Sequence, residues 1–390
     1  MHKAIMAAVL GAFLTGCSSA PPTPPARPWP TKGWTMSTPD TEGFDVAALN
    51  ALDAEFAAGA HGQVTGMLVT RHGRVVIDKS YDHDFDKLFE GRDPVRGPYN
   101  YYDPDWHPYY MHGALHTMQS ASKSITSTLV GIAIARGEIP GVDAKLAPYV
   151  SGFRQADADP RRADLTLAHV LTMTTGITWD ESTVAYTDPA NSCAAMERSH
   201  DWIQYVLDQP FADTPGATFV YSSGNTELLA HVLKTATGKH AHEYAAEHLF
   251  APLGITDTYW KRTPTGLSDT EGGLYMTRRD LAKIGYLYLN DGVWDGMRLL
   301  PEGWVAKATS PLVDTRPGRP RSRKYGYKWW VLPHADGSTY AYAALGYGGQ
   351  RLIVVPEKQV VAVFTGWNIY EHEEFAPYDA LDRLLATITR

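Results

Sequence analysis

The sequence predicts an α+β fold, with an antiparallel sheet built from both ends of the chain, flanked by helices, and an inserted, mainly helical lobe. Strand-like runs lie near the start, helical patterns fill residues 140–320, and strand-like runs return in the tail. Strands of this kind, far apart in sequence, are expected to pair in one sheet that helices cover. With 390 residues, 44% hydrophobic and 20% charged, the chain can bury a full core.

The first elements along the body are a hairpin and a buried helix. Two short apolar stretches in residues 64–77 flank Arg71-His72-Gly73-Arg74, which is typical of a β-hairpin. Residues 120–136 are apolar on nearly every side and are followed by Gly137, so we expect a buried helix there. Between these elements, residues 82–116 are rich in Tyr, Asp, Pro and Gly and predict a structured loop.

The remaining residues supply the lobe and the other strands. Helical patterns at 201–207 and 226–237, separated by turn clusters, predict the lobe. Strand-like runs are separated by Gly, Pro and Asp and lie at residues 325–331, 341–345, 351–355 and 360–366. A closing helix is expected over residues 377–389.

The N-terminus has the pattern of an export signal, with a short polar start, an apolar run too short to span a bilayer, and Leu14-Thr15-Gly16-Cys17. These four residues resemble the lipobox of bacterial lipoproteins. The resemblance implies a signal peptide over residues 1–16, acylation of Cys17 and a lipid anchor in a bacterial membrane. Serines at positions 18 and 19 would favour the outer membrane. Ordinary signal cleavage near residue 19 or 20 is the alternative.

A proline-rich stretch follows, and we interpret residues 17–30 as an extended tether and residues 31–390 as one catalytic domain. Cys193 has no partner if Cys17 is acylated, so no internal disulfide is expected. Its neighbours show no activating pattern, which favours a structural thiol. The net charge of −8 without a basic run argues against nucleic acid as a partner. The sequence does not indicate the oligomeric state.

Ser120-Ala121-Ser122-Lys123 places a hydroxyl and an amine three residues apart. At the start of a helix both side chains share one face, which suits proton transfer from Ser120 to Lys123. The positive field of the helix N-terminus and burial would both lower the pKa of Lys123, so that it acts as a base near neutral pH. The sequence therefore predicts Ser120 as a nucleophile and Lys123 as its activating base.

Two further segments are candidates for the same site. Tyr221 precedes the apolar helix, and a phenol near a lysine ammonium can relay protons, although packing against the helix start is the simpler reading. Gly346-Tyr347-Gly348-Gly349-Gln350 leads into a strand, and its glycines let a backbone pass close to a substrate, or else form a plain hairpin. A backbone N–H from this edge is expected to complete an oxyanion hole with that of Ser120.

In this order and at these intervals, the three elements resemble the penicillin-recognising serine hydrolases, which include class C β-lactamases, DD-peptidases, family VIII carboxylesterases and 6-aminohexanoate-dimer hydrolase. The resemblance is strongest in residues 116–124, 201–210 and 348–350. It implies a β-lactamase/transpeptidase-like fold and an acyl-enzyme on Ser120. By the same resemblance, Lys123 and Tyr221 form the base pair, and Ser120 with Gly348 or Gly349 supplies the oxyanion hole.

Two departures from that family bear on the substrate. The Lys-Thr-Gly of β-lactamases is replaced by Gly346-Tyr347-Gly348, and the Asn of Tyr-x-Asn is replaced by Ser223. Without the strand lysine, a substrate carboxylate loses its partner, which favours a small neutral ester or amide. A class C β-lactamase or DD-peptidase acting on cell-wall peptides is the alternative.

The pocket is expected to include Trp179, Tyr347 and Gln350, with the aromatic residues 99–110 as an apolar lid. No metal or organic cofactor is required by this reaction. An α/β-hydrolase is excluded because no serine has the Gly-x-Ser-x-Gly spacing. His240-Ala241-His242 lacks the further ligands of a zinc site and reads as a solvated helix face. A non-catalytic protein that binds cell-wall fragments is the alternative from another class.

Overall fold

The structure is a computed structural model. It describes residues 28–82, 90–91, 108–154, 159–317, 319, 322–334, 338–369 and 377–389. The expected signal peptide, Cys17, most of the expected tether and most of the expected lid fall outside these residues.

The strands described in the structure are β1 (Thr35–Met36), β2 (Val64–Arg71), β3 (Arg74–Ser80), β4 (His116–Thr117), β5 (Tyr259–Trp260), β6 (Leu274–Met276), β7 (Val293–Trp294), β8 (Met297–Arg298), β9 (Val313–Asp314), β10 (Lys324–Tyr325), β11 (Trp330–Pro333), β12 (Thr339–Gly346), β13 (Gln350–Val355) and β14 (Val360–Gly366). Nine of them form one sheet in the order β1-β3-β2-β14-β13-β12-β11-β10-β9. Since β2 pairs with β14, the two ends of the chain meet in the middle of this sheet, which confirms the predicted architecture.

The main sheet is antiparallel apart from its edge pair, β1 with β3. The hairpin β2–β3 turns at His72 and Gly73, whose φ angles are 50° and 78°. Positive φ at both central residues is the conformation of the tight hairpin turn whose twist matches that of the strands. The predicted hairpin is therefore confirmed.

Side-chain alternation along the strands divides the core into two layers. Leu68 of β2 packs with the helical lobe, whereas its neighbours Met67 and Val69 pack on the opposite face with helix α1 (Val46–Ala57) and the closing helix. Successive strand side chains point to opposite faces, so a sheet buried on both sides must be apolar at every position. Strand β14 is apolar from Val360 to Phe364 and is buried throughout.

The other described α-helices are α2 (Ser122–Ala135), α3 (Ala147–Val150), α4 (Leu167–Leu171), α5 (Ser192–Arg198), α6 (Trp202–Asp208), α7 (Ser223–Thr237), α8 (Ala241–Ala245), α9 (Ala251–Leu253), α10 (Arg278–Leu289), α11 (Trp304–Ala308) and α12 (Pro377–Ala386). The helix expected over residues 120–136 is a 3₁₀ turn, Gln119–Ala121, that continues into α2 and ends before Gly137, which has φ 73°. Helix α7 begins earlier than predicted because the Ser222 side chain caps it by accepting from the Asn225 N–H.

The prediction of a single strand over residues 325–331 is wrong. Strands β10 and β11 form a hairpin instead, with Tyr325 opposite Trp330. Lys328 lies in the turn at φ 61°, a conformation that its residue type does not signal.

The packed body begins before residue 31. Trp29, assigned from sequence to the tether, lies with its ring centroid 5.5 Å from that of Tyr286 and 5.4 Å from that of Trp294. The next residues continue the contact, because Trp294 Nε1 donates to Thr31 Oγ1 over 2.8 Å. Within the described ranges, none of the helices combines the length and the apolar character that crossing a bilayer requires.

Candidate active site

Ser120 lies in the 3₁₀ turn that precedes α2, at the wall of a cavity of about 170 Å³. The residue before it, Gln119, has φ 48°, a conformation that non-glycine residues seldom adopt. Gln119 is buried, and its Nε2 donates to Thr117 Oγ1 over 3.0 Å, which helps to hold this turn. Strained backbone of this kind is often found where a functional side chain must be presented in a fixed direction.

Lys123 is one helical turn further on, and its ammonium group is buried. Its Nζ donates to Ser120 Oγ over 3.0 Å, to the Glu271 main-chain carbonyl over 2.7 Å and to Glu271 Oε2 over 2.9 Å. The side chains of Lys123 and Glu271 are each 1% exposed, so the ion pair is shielded from water. The predicted neighbourhood of Ser120 and Lys123 is present, with Glu271 as a partner that the sequence does not indicate.

The pKa of Lys123 differs from the sequence expectation. Burial lowers it, but the charge of Glu271 at close range raises it, with smaller contributions from Tyr221 and Glu181, and the result is a pKa well above the usual lysine value. The expectation of a lysine with a lowered pKa was therefore wrong, because it took burial into account without the buried carboxylate.

Tyr221 completes the predicted trio. Its ring centroid lies 5.4 Å from Lys123 Nζ, and Tyr221 lines the small cavity together with Ser120. Burial raises the pKa of Tyr221, whereas the Lys123 charge and the Ser120 hydrogen bond lower it, and the net shift is upward. The ring stacks on Trp330 at 5.8 Å with 23° between the planes, which fixes its orientation.

The loop that carries Tyr221 is held in place by hydrogen bonds to Glu181. Glu181 Oε2 accepts from the Ser223 N–H over 2.8 Å and from Trp179 Nε1 over 2.6 Å, and its Oε1 accepts from Ser223 Oγ over 2.9 Å. Trp179, expected in the pocket, lines a larger cavity of about 850 Å³. Tyr221 and Trp330 line both cavities, so the larger one adjoins the space beside Ser120.

The glycine-rich segment at the end of β12 reaches the same site. Leu345, Gly346 and Tyr347 line the small cavity together with Ser120. A side chain at Gly346 would collide with the Met118 carbonyl, so glycine is required for the strand to approach the turn that carries Ser120.

The structure places the two glycines assigned to the oxyanion hole just beyond this edge. Gly348 and Gly349 have φ of 78° and 102° and form the turn into β13. The Gly349 N–H donates to the Gly346 carbonyl over 3.3 Å, and the Gly348 carbonyl accepts from the Asn368 N–H over 2.9 Å. The part of the backbone that faces the cavity beside Ser120 is therefore residues 345–347.

Gln350, also assigned to the pocket, is fully buried behind the turn. Its Nε2 donates to the Tyr347 carbonyl over 3.1 Å and to the Gly366 carbonyl over 2.5 Å, and its Oε1 accepts from the Gly366 N–H over 3.3 Å. It therefore shapes the pocket edge by holding Tyr347 in place.

Two arginines stand at the wall of the small cavity. Arg351 is buried, and the Arg323 guanidinium lies 4.7 Å from the Trp330 ring centroid. The site therefore has positive charge even though the strand lysine is missing. The expectation of a neutral substrate rested on the absence of such a charge, so this reason for it no longer holds. Neither arginine carries a sequence signal, because each reaches the site only through the fold.

Cys193, Glu197 and Glu271 form a buried group whose functional atoms lie within 4.8 Å of one another. The positive charges beside this group are the ammonium groups of Lys123 and Lys261, and we assign no metal to it. Burial and the charge of Glu271 raise the pKa of the Cys193 thiol well above its usual value, which agrees with a structural, unreactive cysteine.

A family model described as Beta-lactamase matches residues 49–386. The chain belongs to the β-lactamase family. Among curated proteins, 6-aminohexanoate-dimer hydrolase from Paenarthrobacter ureafaciens is 29% identical over 266 residues, which are 64% of this chain. This chain spans 65% of that relative's length.

Solved structures of other proteins share the fold. A family VIII carboxylesterase superposes with a TM-score of 0.63 at 15% identity, over 90% of this chain and 98% of its own. An octameric penicillin-binding protein homologue from Pyrococcus abyssi superposes with a TM-score of 0.62 at 18% identity, over 88% and 78%. At these identities the likeness concerns the fold.

Proposed function

We propose that this β-lactamase family member is a serine hydrolase that cleaves a small ester or amide through an acyl-enzyme on Ser120. The observation that supports this most directly is the 3.0 Å contact from Lys123 Nζ to Ser120 Oγ, with Tyr221 lining the same small cavity as Ser120. A hydroxyl held between an amine and a phenol can lose its proton as it attacks a carbonyl. The names of the relatives point to the same chemistry.

In the proposed reaction, Ser120 Oγ bonds to the substrate carbonyl carbon while its proton passes to the Lys123–Tyr221 pair. The oxyanion is held by the N–H of Ser120, in the turn before α2, and by the strand edge at residues 345–347. The pair returns the proton to the leaving alcohol or amine as its bond to carbon breaks. Water then attacks the acyl-enzyme by the same route and releases the acid.

Hydrolysis of a short-chain p-nitrophenyl ester by the purified full-length protein tests this proposal. Ser120→Ala and Lys123→Ala are expected to lose turnover by at least about a hundredfold, as for other activated nucleophiles. Ser127→Ala is a matched control, because Ser127 is buried in the same helix and its hydroxyl has no partner within the described residues. Full turnover by Ser120→Ala would refute the nucleophile assignment, whereas the absence of turnover in the wild type itself would favour a non-catalytic binding protein.

Nitrocefin in parallel distinguishes the alternative β-lactamase or DD-peptidase activity. Little nitrocefin turnover beside rapid ester turnover is expected for an esterase or amidase. Turnover of nitrocefin at the rate of the ester would instead place the chain with the β-lactamases in function.

We also propose that the protein is exported and anchored by a lipid on Cys17, on the bacterial outer membrane facing the periplasm. The support is the signal pattern of residues 1–17 and the serines that follow. Labelled palmitate is expected to enter the wild-type protein in bacterial cells and not the Cys17→Ser variant. Equal labelling of both would refute the anchor.

A further inference from the structure

Glu271 contacts the catalytic lysine twice, and no part of the expected reaction accounts for it. It lies in the loop between β5 and β6 and is fully buried. We propose that Glu271 is a positioning residue that holds Lys123 beside Ser120 as a charged ammonium and thereby sets the pH at which the site becomes active. This inference rests on the proposed function, since it concerns the activation of Ser120.

The hydrogen bonds of Lys123 indicate that its side chain is a charged ammonium. An ammonium has three N–H donors, and the three acceptors around Nζ are Ser120 Oγ and two oxygens of Glu271. All three donors are therefore used, and in these contacts the Lys123 nitrogen acts only as a donor. A neutral amine acting as a base would instead direct its lone pair at the Ser120 hydroxyl.

The surroundings fix Glu271 in turn. Its N–H donates to Glu227 Oε1 over 2.9 Å, and Cys193 Sγ lies 3.9 Å from its Oε1. Burial and neighbouring negative charge raise the pKa values of Glu197 and Glu227 well above the usual range, which favours their neutral forms. A carboxylate among neutral acids can neutralise Lys123 without strong repulsion from its neighbours.

Other titratable groups also face the ion pair. Those that act on Lys123 are Tyr221, Glu181 and the buried Lys328. Those around Glu271 are Glu197, Glu227, Asp269, Lys261, Cys193 and Tyr186. Glu271 is the only acid in the described part of the chain whose carboxylate reaches Lys123 Nζ within ion-pair distance.

The consequence is a defined order of proton steps. Lys123 first loses one proton by way of the Ser120 hydroxyl, which takes a proton from Nζ and gives its own proton to water in the cavity that Ser120 lines. Its nitrogen then takes the Ser120 Oγ proton as the Oγ–carbon bond forms, directly or through Tyr221, and later returns it to the leaving group. Removing the negative charge of Glu271 leaves burial as the main influence on the pKa of Lys123, so the first step then occurs at lower pH.

The rate at which a fluorophosphonate labels Ser120 tests this without knowledge of the natural substrate. It is measured from about pH 5.5 to 10 for the full-length wild type, Glu271→Gln and Glu271→Asp. In the wild type, labelling is expected to keep rising beyond about pH 8, since the ion pair keeps Lys123 protonated there. In Glu271→Gln the rising limb is expected to lie at least one pH unit lower.

If the pH profile of Glu271→Gln lies one unit lower, the labelling rate of the variant divided by that of the wild type is about tenfold higher on the acidic, rising part of the profiles than on the alkaline plateau. A merely structural loss would lower the rate equally at every pH. Glu271→Asp keeps the charge and is expected to keep the wild-type limb, with some loss of rate from the shorter side chain.

Three outcomes would overturn the inference. In the first, the labelling rate of Glu271→Gln rises over the same pH range as that of the wild type. In the second, it rises at higher pH, which would indicate that the titrating group is Tyr221. A wild-type plateau below about pH 8 would refute it even if Glu271→Gln did not fold. If the wild type is not labelled on Ser120 at any pH, the proposed function itself fails, which is a distinct result.

Discussion

Glu181→Ala is expected to destabilise the fold and to disorder the loop that carries Tyr221. The substitution removes the acceptor of three hydrogen bonds, from Trp179 Nε1, the Ser223 N–H and Ser223 Oγ. A hydrogen bond contributes about 1 kcal/mol net, so the loss would reach about 3 kcal/mol. Water from the adjoining cavity of about 850 Å³ can replace part of this. We therefore expect a decrease of about 2 to 3 kcal/mol in the free energy of unfolding.

Urea denaturation followed by far-UV circular dichroism measures this change, and p-nitrophenyl ester turnover measures the effect on Tyr221. Glu181→Gln keeps one acceptor oxygen and is expected to lie between the wild type and Glu181→Ala. Ser182→Ala is the matched control, since Ser182 is the next residue and is exposed. If Glu181→Ala unfolded at the same urea concentration as Ser182→Ala and kept full turnover, the supporting role of Glu181 would be refuted.

Two other substitutions test the pocket edge and the buried acids. Gln350→Leu removes the amide that holds Tyr347 and Gly366, so a loss of about 2 kcal/mol in urea denaturation and a raised KM for the ester are expected, and an unchanged KM would contradict this. Burial, with the charge of Glu271, raises the pKa of Asp269 to about 7, against about 3.9 in an unfolded chain. Between these values the folded state keeps a proton that the unfolded state has lost, so stability falls as pH rises. Asp269→Asn should flatten the fall in Tm between about pH 4 and 7, and an equal slope in both proteins would argue against it.

The elements that the sequence predicted well are those whose signal is local. The hairpin of β2 and β3 follows from two apolar runs around a glycine turn, and β14 coincides with its predicted run at residues 360–366. Ser120 and Lys123 could be paired because a three-residue spacing on a helix fixes their distance. The short strands β4 to β9 had no such signal, since two or three residues carry no periodicity.

What the sequence missed arises from contacts between distant residues. Glu271 lies 148 residues after Lys123, and its neighbours Gly272 and Gly273 indicate only a turn. Because the pKa of a buried lysine depends on what is buried with it, the expected direction was wrong without this partner. Arg323 lies just before β10 and Arg351 lies in β13, so both reach the cavity only once the sheet has formed.

The buried Lys123–Glu271 ion pair is expected to add little to the stability of the fold, so another reason is needed for its position beside Ser120. Burying two charges costs several kcal/mol per ion, and an apolar pair of similar volume is often as stable or more so. The cost is offset here only because each donor of Lys123 has an acceptor and Glu271 is held by Glu227. A pair of this kind is expected to persist where the charge itself has a use. Its contact with Ser120 Oγ indicates that the use is to control when that hydroxyl loses its proton.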